Sequence, residues 1–254
     1  MTRSVTVAGW TISLLALDAL HAPLCWVYPD AAEHEIAWLP CHALLCRRGA
    51  EVMLVDTGLG VFHDAFDMEV RLVTLDDGLA AASCSSDEVT TVVLTHFDAD
   101  HAGGIVVGEY PDGLAPALPS ARVVALQTTA DLGEDADRIV ATLRGAGVRV
   151  DRVADGGEIV TGVRLGSAPG HRAGHACLDF TDGTERFVFL ADVVHAREHV
   201  VHPEWDFLHD SDPELGLATR RAFLQELGGS GATVACSHVD GFGRIEPGPE
   251  WVDV

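Results

Sequence analysis

The sequence predicts an α/β protein of one domain, in which two β-sheets are covered by helices. Three observations predict this class. The 254 residues are 48% hydrophobic and 22% charged, which is enough apolar material for a packed core. Strand-like runs occur in both halves of the chain and alternate with helical segments. No linker, low-complexity tract or repeat interrupts residues 1–254, so we predict a single domain over that whole range.

Strands and one long loop are predicted in the first half of the chain. Runs of β-branched and apolar residues are typical of strands, and Gly49 lies between two such runs as expected of a hairpin loop. In chain order the predicted elements are one or two strands over 5–17, a hairpin of 41–46 and 51–55, a long loop with some helix over 59–85, a short helix start at 85–88 and a buried strand over 90–95.

The second half alternates strands with two longer helices. Asp212 before Pro213 is a strong helix start, and Gly228 is a stop signal. In chain order the predicted elements are a strand over 122–126, a helix over 135–143 that ends at Gly145, strands near 148–153, 158–166, 176–180 and 186–191, a helix from 213 to 227 and a last buried strand over 233–236.

The composition limits the partners that we expect. Sixteen basic residues against 39 acidic ones give a net charge of −23, which disfavours nucleic acid and anionic membranes as partners. No apolar run is long enough to cross a membrane, and the N-terminus lacks a clear signal peptide. The six dispersed cysteines show no CxxC spacing and predict reduced thiols. We therefore expect a cytoplasmic protein with a small-molecule substrate; the sequence leaves its oligomeric state open and is compatible with a homodimer.

Polar clusters follow five of the predicted strands at the point where each strand ends. Because strand ends along one edge of a sheet converge, side chains from these clusters are expected to meet in one cleft. The five clusters are Asp56, residues 96–101, residues 168–171, Asp192 and residues 237–238.

The cluster at 96–101 is the most informative of the five. It contains His96, Asp98, Asp100 and His101, which are four side chains of the kinds that bind metal ions. Alternate side chains of a short turn can point to two sides, so that one loop can supply ligands to two adjacent cations. Two alternatives remain at this point: a solvated loop, or a helix cap formed by Asp100.

These motifs resemble those of the metallo-β-lactamase superfamily. The segment 95–104, THFDADHAGG, is similar to the signature H-x-H-x-D-H, and 168–175, APGHRAGH, is similar to the segment T-P-G-H-T-x-G-H of that family. The resemblance covers about residues 35–245 and is greatest to the lactonase and organophosphate-hydrolase branch. It implies a four-layer αββα sandwich of two mixed β-sheets flanked by helices.

The resemblance also implies a dinuclear site for two divalent metal ions, with zinc expected first. Asp56 would support the ligands from behind, and His175 would hold a loop. The implied ligands are His96, Asp98 and His171 for the first ion, Asp100, His101 and His238 for the second, and Asp192 as a bridge between them.

Asp98 departs from the family pattern, which has a histidine at this position. The extra negative charge is expected to raise cation affinity and to favour harder ions such as Mn or Fe. It also leaves two alternatives open: occupancy by a single metal, and an Fe-dependent redox enzyme of the same fold.

We predict a metal-dependent hydrolase in which a metal-bound hydroxide opens a small lactone or ester, at a carbonyl or phosphoryl electrophile. Asp100 is the predicted catalytic group that orients this hydroxide and transfers its proton. His195 is the second predicted catalytic residue, because it lies three residues after Asp192, where the lactonases of this branch have a tyrosine that faces the substrate. The loops 59–85, 105–120 and 193–210 are expected to set specificity. A non-catalytic metal-stabilised binding module is a further alternative.

Overall fold

The computed structural model describes residues 3–32, 34–65 and 69–254. Two large sheets pack face to face, and helices cover their outer faces, which confirms the predicted αββα sandwich. A separate two-stranded ribbon lies at the side.

The first sheet contains eight strands from residues 3–153. Its order is β1-β2-β3-β4-β6-β9-β10, and β5 pairs with β2. The pairs from β1 to β4 are antiparallel, whereas β4, β6, β9 and β10 run parallel. These strands and the β7–β8 ribbon are β1 Arg3–Val7, β2 Trp10–Pro23, β3 Ile36–Arg48, β4 Glu51–Val55, β5 Val70–Leu72, β6 Thr91–Leu94, β7 Val106–Gly108, β8 Leu114–Pro116, β9 Arg122–Leu126 and β10 Val150–Val153.

The second sheet contains seven strands in sequence order. All neighbours are antiparallel except β14 and β15, which are parallel because the helix Pro213–Leu227 crosses between them. Its strands are β11 Gly157–Val160, β12 Val163–Ser167, β13 Ala176–Thr181, β14 Arg186–Phe189, β15 Thr233–Ala235, β16 Gly243–Glu246 and β17 Glu250–Asp253.

Helix α5, Pro213–Leu227, begins at a side-chain cap. The carboxylate of Asp212 accepts a hydrogen bond of 3.0 Å from the backbone N–H of Leu215, so α5 starts as predicted. None of the helices in the described ranges is long and apolar enough to cross a membrane. The α-helices are α1 Leu75–Ala81, α2 Ala99–Ala102, α3 Glu134–Gly145, α4 Glu198–Val201 and α5 Pro213–Leu227, and 3₁₀ turns occupy Leu24–Trp26, Gly60–Ala65, Ser86–Glu88, Gly103–Ile105 and Ala191–Val193.

The core has three layers of apolar side chains, which explains the continuous hydrophobic runs in the central strands. Trp10, Leu44 and Phe180 lie between the two sheets. Ile139 of α3 packs on the outer face of the first sheet, and Leu224 of α5 packs on that of the second. Strands that are covered on both faces do not show alternating apolar and polar residues along the chain.

Several predicted boundaries differ from the structure. The predicted single strand over 158–166 is wrong, because a turn at Gly162, whose φ is +79°, divides it into β11 and β12. Residues 59–85 contain β5 and α1 within the described part of that range, and the prediction over 66–68 lies outside the described residues. The short strands β16 and β17 were not predicted.

Candidate metal centre

The polar clusters that follow the strands meet at one edge of the sandwich. Asp56 follows β4, the 96–101 cluster follows β6, and the 168–171 cluster follows β12. Asp192 follows β14, and His238 follows β15. The side chains that the sequence predicts as metal ligands are buried except those of Asp98 and Asp100, which are partly exposed. The fold therefore brings all seven predicted ligands to one place.

One group of potential ligand atoms is formed by His96, His171 and Asp192, whose nearest donor atoms all lie within 4.8 Å of one another. Asp192 Oδ2 is 3.3 Å from His171 Nε2 and 4.0 Å from His96 Nε2. The carboxylate of Asp98 lies at the edge of this group, with Oδ2 3.8 Å from His171 Nε2 and 3.9 Å from His96 Nε2. We call this group, together with Asp98, subsite 1.

A second group is formed by His101, His238 and the same Asp192. Asp192 Oδ2 is 3.3 Å from His101 Nε2 and 3.2 Å from His238 Nε2. Asp100 Oδ2 lies 3.6 Å from each of those two nitrogens. We call this group, together with Asp100, subsite 2. Asp192 belongs to both groups, which is the position that a bridging carboxylate requires.

Oxygen atoms behind the site orient three of these imidazoles. The Nδ1–H of His238 donates to the carbonyl oxygen of Pro40 over 2.7 Å, and Nδ1 of His171 lies 2.9 Å from Asp210 Oδ1. Nδ1 of His101 is 2.9 Å from Asp56 Oδ2. Each contact fixes the ring through Nδ1 and turns Nε2 into the site, which is the orientation that a metal ligand needs.

Several buried polar atoms at the centre have no hydrogen-bond partner among the described residues. They are Nε2 of His96, Nε2 of His101 and Oδ1 of Asp192. Leaving a buried polar atom unsatisfied costs about 1–3 kcal/mol, so three such atoms within one cluster of side chains indicate a ligand-binding site. Imidazole nitrogen and carboxylate oxygen are the donors that zinc and other divalent first-row metals prefer. The residues present therefore fit divalent metal ions.

The electrostatic environment prepares His96 and Asp192 for a cation. Burial lowers the pKa of His96 well below its usual value, so this imidazole is a neutral base. Burial alone would raise the pKa of Asp192, but His101 and His238 hold it well below the usual range, so its carboxylate is ionised. A neutral imidazole and an ionised carboxylate are the forms that bind metal.

The turn that carries the 96–101 cluster is not built around a cap formed by Asp100. Helix α2 has Asp98 at its N-cap position, and Asp100 lies inside the first turn with its carboxylate facing His101 and His238. The helix-cap alternative for Asp100 is therefore wrong.

His175 holds two parts of the centre together. His175 Nδ1 donates to the carbonyl oxygen of Ala168 over 2.7 Å, while its Nε2 accepts from the backbone N–H of Asp192 over 3.2 Å. The ring thus ties the 168–171 loop to the residue that both ligand groups share.

His195 lies beside the centre and is fully buried. Its ring stacks on Phe207 at a centroid distance of 3.7 Å and an angle of 13°. Its Nε2 is 3.4 Å from Asp192 Oδ2 but is not aligned for a hydrogen bond, and neither ring nitrogen has a partner in the described part of the chain. This side chain has hydrogen-bonding capacity to offer to a ligand. The nearby Trp205 stacks on a different histidine, His202.

A cavity of about 470 Å³ opens onto the cluster. Its polar wall is formed by Asp98, Asp100, His171, Arg172 and His238, and its apolar wall includes Leu20, Trp26, Leu39, Leu132 and Phe207. A molecule bound here would contact both the ligand groups and an apolar surface.

Three residues that no sequence pattern predicted also shape this site. Asp210 contacts His171, and the buried Arg220 lies 3.6 Å from the other oxygen of Asp210. Arg172 contacts Asp98. Asp210 lies only two residues before the cap of α5, but no local pattern connects it to His171. Of the three, only Arg172 could have been noticed in the sequence, because it stands where the family motif has threonine.

The fold and the site together define a metallohydrolase. The sequence profile described as the Metallo-beta-lactamase superfamily matches residues 36–238, so the chain belongs to this superfamily. No curated protein matches the sequence.

Solved structures share the fold over nearly the whole chain. AidC, a dizinc quorum-quenching lactonase, has a TM-score of 0.79 and 21% identity, with 100% of this chain and 97% of that chain covered. The hydrolase AbOPH of the β-lactamase superfamily has a TM-score of 0.82 and 20% identity, with the same coverage. A variant of AiiA from B. thuringiensis, bound to N-decanoyl-L-homoserine, has a TM-score of 0.70 and 18% identity, with 92% and 94% covered.

Proposed function

We propose that this protein hydrolyses a small lactone or ester with the help of two divalent ions, of which zinc is the first candidate. One observation carries the proposal: Asp192 Oδ2 lies 3.2–3.3 Å from the Nε2 atoms of His101, His171 and His238, between two groups of imidazoles. Such a pair of sites supports the attack of water on an acyl or phosphoryl centre. When bound, two divalent ions lower the pKa of water towards neutrality and polarise the oxygen under attack.

Asp100 is the residue that we propose for proton transfer. Its Oδ2 faces the centre of the second ligand group and also lies 3.6 Å from the thiol of Cys41. Burial raises the pKa of the Cys41 thiol well above its usual value, so the thiol stays protonated and donates to the carboxylate. Asp100 can therefore orient the attacking water, take its proton and pass that proton to the leaving oxygen.

His195 is the residue that we propose for contact with the substrate, from an adjoining cavity of about 320 Å³ that it lines together with His238, which also lines the cavity of about 470 Å³. Burial lowers its pKa well below the usual value, so the ring is neutral and has one N–H to donate. Stacking on Phe207 fixes the ring plane. A donated hydrogen bond to the carbonyl oxygen would strengthen as charge develops on that oxygen.

The cavity and the charge favour a small, uncharged substrate. A space of about 470 Å³ with one apolar wall suits a ring with a short apolar substituent. The net charge of −23 disfavours polyanions. AidC, which shares the fold, is a lactonase solved with N-hexanoyl-L-homoserine as product, which is why we place lactones first. The free cysteines are compatible with a reducing compartment, and we propose a cytoplasmic location.

The test is hydrolysis by metal-depleted protein reloaded with Zn, Mn or Fe. A panel of lactones, aryl esters, β-lactams and phosphotriesters should show lactones or esters as the best substrates. Asp100→Asn and His101→Ala should each lower kcat/KM at least 10²-fold. Asp112→Asn, a change at an exposed loop residue, is the matched control. Activity that both site variants leave unchanged would contradict the proposal.

The Fe-dependent redox alternative rested on Asp98 as a metal ligand. In the structure both oxygens of Asp98 contact Arg172, so this support for it is weaker. Iron content and oxygen consumption of the purified protein test it directly.

A further inference from the structure

Asp98 is held by a neighbouring arginine at the edge of the first ligand group. The Nε atom of Arg172 is 3.0 Å from Asp98 Oδ1 and 2.8 Å from Asp98 Oδ2. Both carboxylate oxygens therefore face one guanidinium. A carboxylate paired in this way has less negative charge to offer to a cation than a free carboxylate.

The guanidinium is itself fixed in position. Its Nη1 donates to the carbonyl oxygen of His171 over 3.1 Å, to that of His209, and to Ser211 Oγ over 3.4 Å. These contacts join the loop that carries His171 to the segment before α5. Arg172 would have to break these hydrogen bonds if Asp98 moved closer to the metal ligands. The contacts therefore hold the Asp98–Arg172 pair in its present position.

The corresponding carboxylate of subsite 2 has a different environment. Asp100 faces the imidazoles of His101 and His238 and the neutral thiol of Cys41. Asp98 and Arg172 together add no net charge to subsite 1, whereas Asp100 adds a full negative charge to subsite 2. Asp192 belongs to both subsites, so its charge does not offset the difference in charge between them.

We propose that Arg172 is a positioning residue that restrains and neutralises Asp98, and thereby makes subsite 1 bind divalent metal more weakly than subsite 2. The inference rests on the metal binding that the proposed function requires. It reverses the sequence-based expectation that Asp98 raises cation affinity. The protein would bind the ion in subsite 2 tightly and exchange the ion in subsite 1 more readily.

The experiment measures metal affinity instead of turnover. Metal-free protein is titrated with Zn²⁺ against a chromophoric chelator, and Co²⁺ absorption spectra report the coordination of each ion. The wild-type protein should show two steps that differ at least tenfold in affinity. Arg172→Met should tighten the weaker step by about 10–100-fold, the range typical of residues that contact metal ligands, and change the tighter step by less than about threefold.

Further variants separate charge from structure. Arg172→Lys keeps the charge and should remain close to wild type in the weaker step. Arg172→Gln removes the charge but retains hydrogen-bond donors, and should tighten the weaker step even if Arg172→Met fails to fold. The double variant Arg172→Met with Asp98→Asn should lose the gain, because the freed carboxylate is then absent. Arg149→Met, at an exposed position, is the control for a general change of charge.

Two results would overturn the inference while leaving the proposed function intact. One is a wild-type protein whose two steps have equal affinity. The other is a weaker step that neither Arg172→Met nor Arg172→Gln tightens. A wild-type protein that binds no divalent ion would contradict the proposed function and this inference together.

Discussion

The imidazole Nδ1 of His101 lies 2.9 Å from Oδ2 of Asp56, and both side chains are buried, with Asp56 behind the candidate metal centre. Asp56 also accepts from the backbone N–H of Thr95 over 2.8 Å and from its hydroxyl over 2.7 Å. One carboxylate thus fixes both the ring of His101 and the start of the turn that carries the 96–101 cluster.

Asp56→Ala should weaken metal binding without removing any ligand. Loss of the oxygen behind His101 frees the ring to rotate and lowers its basicity, so affinity at subsite 2 should fall about 10–100-fold. Competition with a chelator measures this change. Asp56→Asn keeps one acceptor oxygen and should lose less metal affinity than Asp56→Ala. Equal affinities in the wild type and both variants would show that the contact between Asp56 and His101 does not orient the ring.

His195→Phe should separate substrate contact from metal binding. The change preserves the stacking surface for Phe207 but removes both ring nitrogens, so kcat should fall about 10²-fold while metal content stays at the wild-type value. Steady-state kinetics and elemental analysis measure the two quantities. The matched control is His202→Phe, at a more exposed histidine that stacks on Trp205. A wild-type kcat would exclude the proposed contact.

Arg220→Met should destabilise the fold. Arg220 is 2% exposed, donates to the carbonyl oxygens of Val193 and Pro203 over 2.8 and 2.9 Å, and faces Asp210. Removal leaves these oxygens buried without a donor, so the free energy of unfolding should drop by about 3 kcal/mol. Urea unfolding measures it, with the exposed neighbour Arg221→Met as control. A loss below about 1 kcal/mol would contradict this account.

Asp18 should make stability depend on pH. Burial raises its pKa from 3.8 to about 6, although backbone N–H groups of Leu59 and Val73 donate to its carboxylate. The folded state therefore binds this proton more tightly than the unfolded state. The resulting stabilisation is complete below about pH 4 and is lost as the pH rises through about 6.

Asp18→Asn removes this pH-dependent loss. Relative to wild type, the variant should gain up to about 3 kcal/mol in the free energy of unfolding between pH 4 and pH 7, in proportion to the pKa shift. Urea unfolding of metal-free protein at several pH values measures the difference. The exposed Asp30→Asn should show no such trend. A difference between Asp18→Asn and wild type that is constant with pH would refute the prediction.

The sequence by itself determined the fold class and the place of the site. Apolar runs that end in polar clusters predicted strands converging at one edge, and the order of the motifs predicted the superfamily that the profile then matched. These signals are local: the cap of α5 depends on Asp212 and its own next three residues. Local chemistry is visible in a sequence because the interacting groups are neighbours in the chain.

Only the tertiary structure decided how the ligands are supported. Arg172 contacts Asp98 across 74 positions, and Asp210 contacts His171 across 39. No periodicity or spacing rule connects such positions, because their separation depends on how two sheets and the loops between them pack. A charge placed by the fold can therefore reverse what the residue type alone suggests, as Arg172 does for Asp98.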